Sequence, residues 1–369
     1  MKKLIPLCLA FVMAIGLVGC TEEAVTTPTE TSNVAAGTND GEQVSVALLI
    51  AANLGDMSFN DSAHRGVLRA QEELGVSIRV VEDNGDPARW ESTLLEMADA
   101  GHNIIIGANN YREYIQRHAD DFPDTVFILF DDEIDWSLGE FSNVNSIIYK
   151  QNEGSFLGGY LVANLSETGV IGFLGGMDIP IINDFLVGYI EGAQLANPDI
   201  SIISVYSNTF SDSARGKELA FAMMNQGADY IFNVAGGTGI GLIEAASERG
   251  TRVLGVDSDQ AVAFREAGRY DFAEVITSSV LKNVDFSLFR AIYNYMNGTL
   301  VLGETEFLGI AEGGMGLADN EFFRAQVPAD IIERLEVLEE SIVNGDIVIG
   351  TALGANAVDA VTLRNSVSP

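Results

Sequence analysis

The sequence predicts an α/β protein made of two lobes, each a doubly wound parallel sheet. Three observations predict it. Apolar strand-like runs alternate with amphipathic helical segments from Val44 onward, and such alternation gives parallel sheets with helices on both faces. Ten such runs occur, more than one sheet of a compact domain usually holds, so the sheet divides in two. The change of lobe falls near Lys150, just before the helical segment Glu153–Leu165.

The chain begins with an address. Lys2 and Lys3 form a short positive region, and Leu4 to Val18 is an apolar run too short to span a bilayer as a stable anchor. Leu17-Val18-Gly19-Cys20 then resembles the lipobox of bacterial lipoproteins. The resemblance implies removal of residues 1–19 and acylation of Cys20 on its sulfur and its new amine. Several acyl chains hold a protein on a membrane without a transmembrane helix. Thr21 to Gln43 lacks Lys and Arg and has too few apolar residues for a core, so it reads as a flexible tether. Cys8 leaves with the signal, and no cysteine follows Cys20. The folded part therefore has no disulfide and no cysteine-based metal site. Packing of a 47% apolar chain must hold it together.

The first lobe takes the runs Val44–Ala52, Ile78–Glu82, Asn103–Gly107, Thr125–Phe130 and Asn145–Tyr149, with a helix from about Asp61 to Leu74 after the first. The second takes Val170–Leu174, Ile200–Tyr206, Tyr230–Val234, Arg252–Val256 and Glu274–Ser278. Net charge narrows the partners. Twenty Lys and Arg face 53 Asp and Glu, a net of −33. Such a field repels nucleic acid, nucleotides and anionic membrane surface alike. A phosphate-bearing ligand would need a local cluster of Arg or Lys, and none is found in the sequence.

The turn Gly55-Asp56-Met57-Ser58-Phe59-Asn60-Asp61 joins the first strand to its helix. Ligands bind along the sheet edge where such turns lie. An aromatic plane beside an amide and two carboxylates suits a flat polar heterocycle. The same residues also suit helix capping, with Phe59 as a staple into the core, and the segment alone leaves both readings open. In the second lobe Gly236-Gly237-Thr238-Gly239-Ile240-Gly241 follows a strand, and Asp257 ends the next one. This imitates a dinucleotide fingerprint, but Leu242 occupies the position of the third glycine after Gly237 and Gly239. The physics survives: a carboxylate at a strand end suits a vicinal diol.

Five segments in order carry a family resemblance. They are Gly55 to Asp61, Gly175-Gly176-Met177-Asp178-Ile179-Pro180, Gly255-Val256-Asp257-Ser258-Asp259-Gln260, Thr277-Ser278-Ser279-Val280-Leu281-Lys282 and Gly313-Gly314-Met315-Gly316-Leu317. Together they resemble the basic membrane protein family, whose best-understood members are purine nucleoside receptor lipoproteins of ABC importers. The resemblance runs from about Val44 to Gly350. It implies a type I periplasmic-binding-protein fold with three crossing segments, near Tyr149–Asn152, Ser278–Lys282 and Leu300–Phe307. The first lobe is then 44–149 plus 283–300, and the second 150–282 plus 301–369. Implied partners are a purine nucleoside, an ABC permease and ATPase, and a membrane through Cys20. The protein would be an exported monomer on the cell envelope, with no cofactor.

The resemblance also implies site roles. Phe59 and Phe185 would sandwich the base, although Phe185 taken alone is more often a core residue. Base-edge contacts map to Asn60 and Asp131, with Asp132 able to replace Asp131. Ribose contacts map to Asp257 and Lys282, with backbone help at Gly236 and Gly237, and Asp56 completes the first turn. Where the family has an apolar or aromatic turn, this chain reads Ala108-Asn109-Asn110-Tyr111-Arg112. Asn109 would add an edge contact and Tyr111 a stacking surface, which leaves the base open. A sensor presenting its ligand to a signalling receptor would use the same fold. An enzyme is disfavoured: His64, His102 and His118 lack ligand-like spacing, and no nucleophile–base pair stands out.

Overall fold

The structure is a computed structural model that describes residues 43–369. The signal peptide, Cys20 and the tether up to residue 42 lie outside the described residues. The first sheet contains β1 (Ser45–Ile50), β2 (Ser77–Glu82), β3 (Ile104–Ala108), β4 (Val126–Phe130) and β5 (Val144–Tyr149). The second contains β6 (Val170–Gly175), β7 (Ser201–Tyr206), β8 (Tyr230–Val234), β9 (Arg252–Asp257) and β10 (Ile276–Lys282). Two late strands complete them, β11 (Glu304–Leu308) and β12 (Met315–Leu317).

Strand order is β11-β5-β4-β3-β1-β2 in one sheet and β12-β10-β9-β8-β6-β7 in the other. Every pairing is parallel except that of β12 with β10. The two sheets repeat one topology, and in each the first strand lies between its two successors. That arrangement creates a crevice beyond the carboxyl ends of the strands, where the order reverses. The central strands explain the near-continuous apolar runs. Residues of β3, β4 and β5 are all buried, as a parallel sheet covered on both faces requires.

The chain crosses between sheets three times. It leaves β5 through Lys150 into the helix Gln151–Leu165, which packs on the helix Pro180–Ala196 of the second lobe. It returns after β10 into the helix Val284–Met296, which packs on the helix Phe59–Leu74. The last crossing lies between Leu308 and Met315, later than the expected Leu300–Phe307. Residues Glu304 to Leu308 pair in parallel with Asn145 to Tyr149 and cover the edge of the first sheet. Glu304 and Phe307 are exposed and only Leu308 is buried, so the strand resembles a linker in sequence. The strand expected at Glu274–Ser278 likewise runs on to Lys282, with Thr277, Ser278 and Ser279 fully buried. Their hydroxyls are satisfied locally: Thr277 donates to Gln326 Oε1, and Ser278 to the carbonyl of Ala318.

Close packing of two helices fixes the second lobe. Side-chain Cβ atoms added at Gly159, Gly188 or Gly192 would collide with the backbone carbonyls of Tyr189, Asn152 and Phe156 respectively. Glycine is required there by approach, not by φ. Replacing Gly192 by Ala gains up to about 1 kcal/mol of helix propensity but forces backbone apart, at about 1–3 kcal/mol or more. Gly192→Ala is therefore expected to lower the urea midpoint. A midpoint equal to or above the parent's would show that the helices are not held this closely.

Candidate ligand-binding cleft

A cavity of about 420 Å³ lies between the carboxyl ends of the two sheets. Turns after β1, β3 and β4 supply one wall, and turns after β6, β8 and β9 the other. All ten candidate residues line it: Asp56, Phe59, Asn60, Asn109, Asp131, Phe185, Gly236, Gly237, Asp257 and Lys282. The volume is that of a small-molecule pocket. Asp132 lines a different, larger cleft of about 1080 Å³ with Lys150, Glu153 and Glu312. Of the two adjacent carboxylates, Asp131 faces the smaller cavity.

Lys282 is the one Lys or Arg among the residues lining this cavity, and it is 2% exposed. Its ammonium pairs with Asp131. It also lies 4.9 Å from the ring centre of Phe185, 5.3 Å from Tyr149 and 5.5 Å from Phe59. Three ring faces around one desolvated cation add cation–π attraction to the ion pair. Burial pushes the Asp131 carboxyl above its ordinary value, and the Lys282 charge pulls it back. Burial pushes Asp257 up to about 6, against the pull of Lys282 and of the Ser58 hydroxyl that donates to it. Asp131 directly follows β4 and Asp257 ends the equivalent strand, β9, and both adopt positive φ, 65° and 61°. Aspartate tolerates that region better than most residues, though at some cost.

In the first turn the carboxylates act as caps. Asp56 accepts N–H groups of Ser58 and Asn60, at 3.0 and 2.9 Å, and of Asp61 at 3.2 Å. Asp61 accepts those of Gly55 and Met57. These two carboxylates knit the turn, so Asp56 lines the cavity with both oxygens already engaged as a cap. Phe59 stacks on Phe130 with centroids 5.3 Å apart and 29° between planes. Asn60 donates to the carbonyl of Asn53 and borders the cavity beside it. Phe185 both lines the cavity and belongs to the core, 2% exposed with Phe232 edge-on at 6.1 Å.

Tyr111 is not a stacking surface. Its ring is fully buried against Gly107 and Trp90, and its hydroxyl donates to Asp83 at 2.6 Å. A 3₁₀ turn over Asn109–Tyr111 takes the chain out of the strand after β3, leaving Asn109 at the cleft and Tyr111 buried beneath the sheet. Phe210, which the sequence reading missed, lines the second-lobe wall and lies over Gly176. The Gly175-Gly176 pair was a signal for it, since a side chain at Gly176 would displace that ring.

Two parallel-sheet lobes with a lined crevice between their strand ends define a two-lobe binding protein. Residues 43–351 match the family described as ABC transporter substrate-binding protein PnrA-like, and the chain belongs to that family. Basic membrane protein D of Borreliella burgdorferi (strain JD1) is 30% identical over 308 residues, covering 82% of this chain and 87% of that protein. A solved ABC transporter solute-binding protein from Aeropyrum pernix K1 is similar with a TM-score of 0.74 at 28% identity, covering 87% of this chain and 96% of that one. A transcriptional activator of the comK gene from Bacillus halodurans shares the fold at TM-score 0.68 and 20% identity, over 82% and 99% of the two chains. The protein is thus a substrate-binding component of an ABC transport system, not an enzyme. Such components of importers are exported and work with a permease. Among the described residues no helix is long and apolar enough to cross a membrane.

Removing the cation tests the electrostatics. Lys282→Met leaves Asp131 buried without its partner, which is expected to cost about 3–5 kcal/mol at neutral pH. A carboxyl whose folded value lies above its unfolded one binds its proton more tightly in the native state. The penalty therefore grows as pH rises and shrinks toward pH 4.5. Urea titrations at pH 4.5 and 7.5 should show this, and Asp131→Asn in the same chain should recover much of the loss. An equal deficit at both pH values would count against the pair.

Proposed function

We propose that this protein is a lipid-anchored receptor that captures purine nucleosides and delivers them to an ABC permease and ATPase. The observation that carries the reading is the chemistry of the cavity. Aromatic rings from both lobes, amides along one wall and carboxylates at two strand ends surround a single, already paired cation. Phe59 offers a stacking face from the first lobe, and Phe185 with Phe210 offers faces from the second. Asn60, Asn109 and Asp131 supply donors and acceptors for a base edge. Asp257 accepts from ribose hydroxyls, and Gly236 and Gly237 let a sugar approach the backbone. An uncharged, flat, polyhydroxylated ligand matches this inventory better than a phosphate ester, for which no free cation lines the site. The lipobox at Cys20 is the support for the anchor.

Calorimetry with guanosine, adenosine, inosine, 2′-deoxyguanosine and GMP tests the reading. At least one ribonucleoside is expected to bind tightly, and GMP far more weakly. A deoxynucleoside leaves a buried acceptor without its donor, at about 1–3 kcal/mol. Tight GMP binding, or indifference to the 2′ hydroxyl, would remove Asp257 from the sugar site.

The ring faces have their own test. Phe59→Ala is expected to weaken nucleoside binding by about 1–3 kcal/mol, as loss of a base-stacking ring does. At Phe185 a full truncation would hollow the core, so Phe185→Leu is the cleaner variant, with a smaller loss of affinity. Parental affinity in both would refute the sandwich.

A further inference from the structure

The two lobes touch beside the cavity through hydrogen bonds that no ligand group is needed to make. Met57 and Ser58 belong to the turn after β1; Asp257 ends β9, Ser258 follows it, and Gln260 opens the next helix. The Ser58 hydroxyl donates to Asp257 Oδ2. The Ser258 hydroxyl donates to the carbonyl of Ser58 at 3.2 Å and accepts from Arg65 Nη2 at 2.9 Å. Gln260 Nε2 donates to the carbonyl of Met57 at 3.2 Å. Ser58 and Gln260 are fully buried and Ser258 is 5% exposed. Neither serine lines the cavity.

Each side of this contact is rigid on its own account. Asp56 and Asp61 brace the first turn through five backbone N–H groups. Gln260 Oε1 braces the second by accepting from Val256 N and Asn233 Nδ2, and Arg65 lies 3.6 Å from Asp285 of its own lobe. Separating the lobes would keep all of those bonds and break the four that join Met57, Ser58 and Arg65 to Asp257, Ser258 and Gln260. Bonds made in one of two states bias that equilibrium by their full difference.

We propose that Ser58 and Ser258 form a latch between the lobes. It closes the cleft in part without ligand, holds Asp257 in its cavity-facing orientation, and sets the rate at which ligand leaves. The serines are positioning residues: they act through Asp257 and through the lobe equilibrium. The identity of the ligand rests on the nucleoside reading, but the latch itself does not.

The test uses the full-length protein, its Ser258→Ala variant and the hydroxyl-retaining Ser258→Thr variant. Small-angle X-ray scattering without ligand is expected to give Ser258→Ala a larger radius of gyration than the parent, with Ser258→Thr close to the parent. Stopped-flow release of guanosine should be about 10- to 100-fold faster from Ser258→Ala, the equivalent of two lost hydrogen bonds. Association should stay within about twofold, since affinity changes at one site fall mostly on release. Equal scattering of parent and Ser258→Ala, or a Ser258→Thr variant as open as Ser258→Ala, would overturn the latch. If the parent binds none of guanosine, adenosine and inosine, the nucleoside reading falls, and the scattering comparison still decides the latch.

Discussion

The cleft depends on one buried ion pair. Lys282 is the last residue of β10 and reaches across the crossing to Asp131 at the end of β4. In a chain of net charge −33, burying Asp131 and Asp257 in one cavity would cost several kcal/mol without a cation beside them. Both carboxylates feel its charge, and both are held up by burial against it. Breaking this pair would leave uncompensated charge, while three ring faces around the ammonium keep water away. The arrangement leaves the site polar yet without cationic capacity to spare.

Repeated topology explains why such groups meet. Both sheets place their first strand between the second and third, so equivalent turns face each other across the crevice. Asp131 directly follows β4 and Asp257 ends β9, each with a left-handed backbone. The turn after β1 meets the end of β9 through Ser58 and Asp257. Cavity-lining groups and lobe contacts thus arise from the same strand ends. A change in one is coupled to the other, which gives a two-lobe binding protein a way to link occupancy to shape.

Several residues serve packing and site together. Phe185 is a cavity wall backed by Phe232, and Asp56 lines the cavity while capping the helix Phe59–Leu74. The capping reading of the first turn therefore holds for its carboxylates, which shape the loop, while Phe59 and Asn60 border the cavity. Tyr111 shows the opposite case. It follows the strand by three residues, yet its hydroxyl belongs to Asp83 beneath the sheet.

The ten principal strands, the alternation of helix and strand, and the need for two sheets were legible in the sequence, because the period of apolar residues is a local property. So were the strand-end turns and the lone Lys282, since turn chemistry and charge are written residue by residue. The pairing of Glu304–Leu308 with β5 was not legible. A five-residue edge strand with one buried residue carries little periodic signal, and its partner lies more than 150 residues earlier. Nor could the sequence place Tyr111 under the sheet, bring Phe210 over Gly176, or join Ser58 to Asp257. Those outcomes depend on where separate segments meet in space. Local patterning determined the elements and the types of group available; the meeting of two lobes decided which groups share one cavity, because contacts between distant segments are set by packing and not by spacing along the chain.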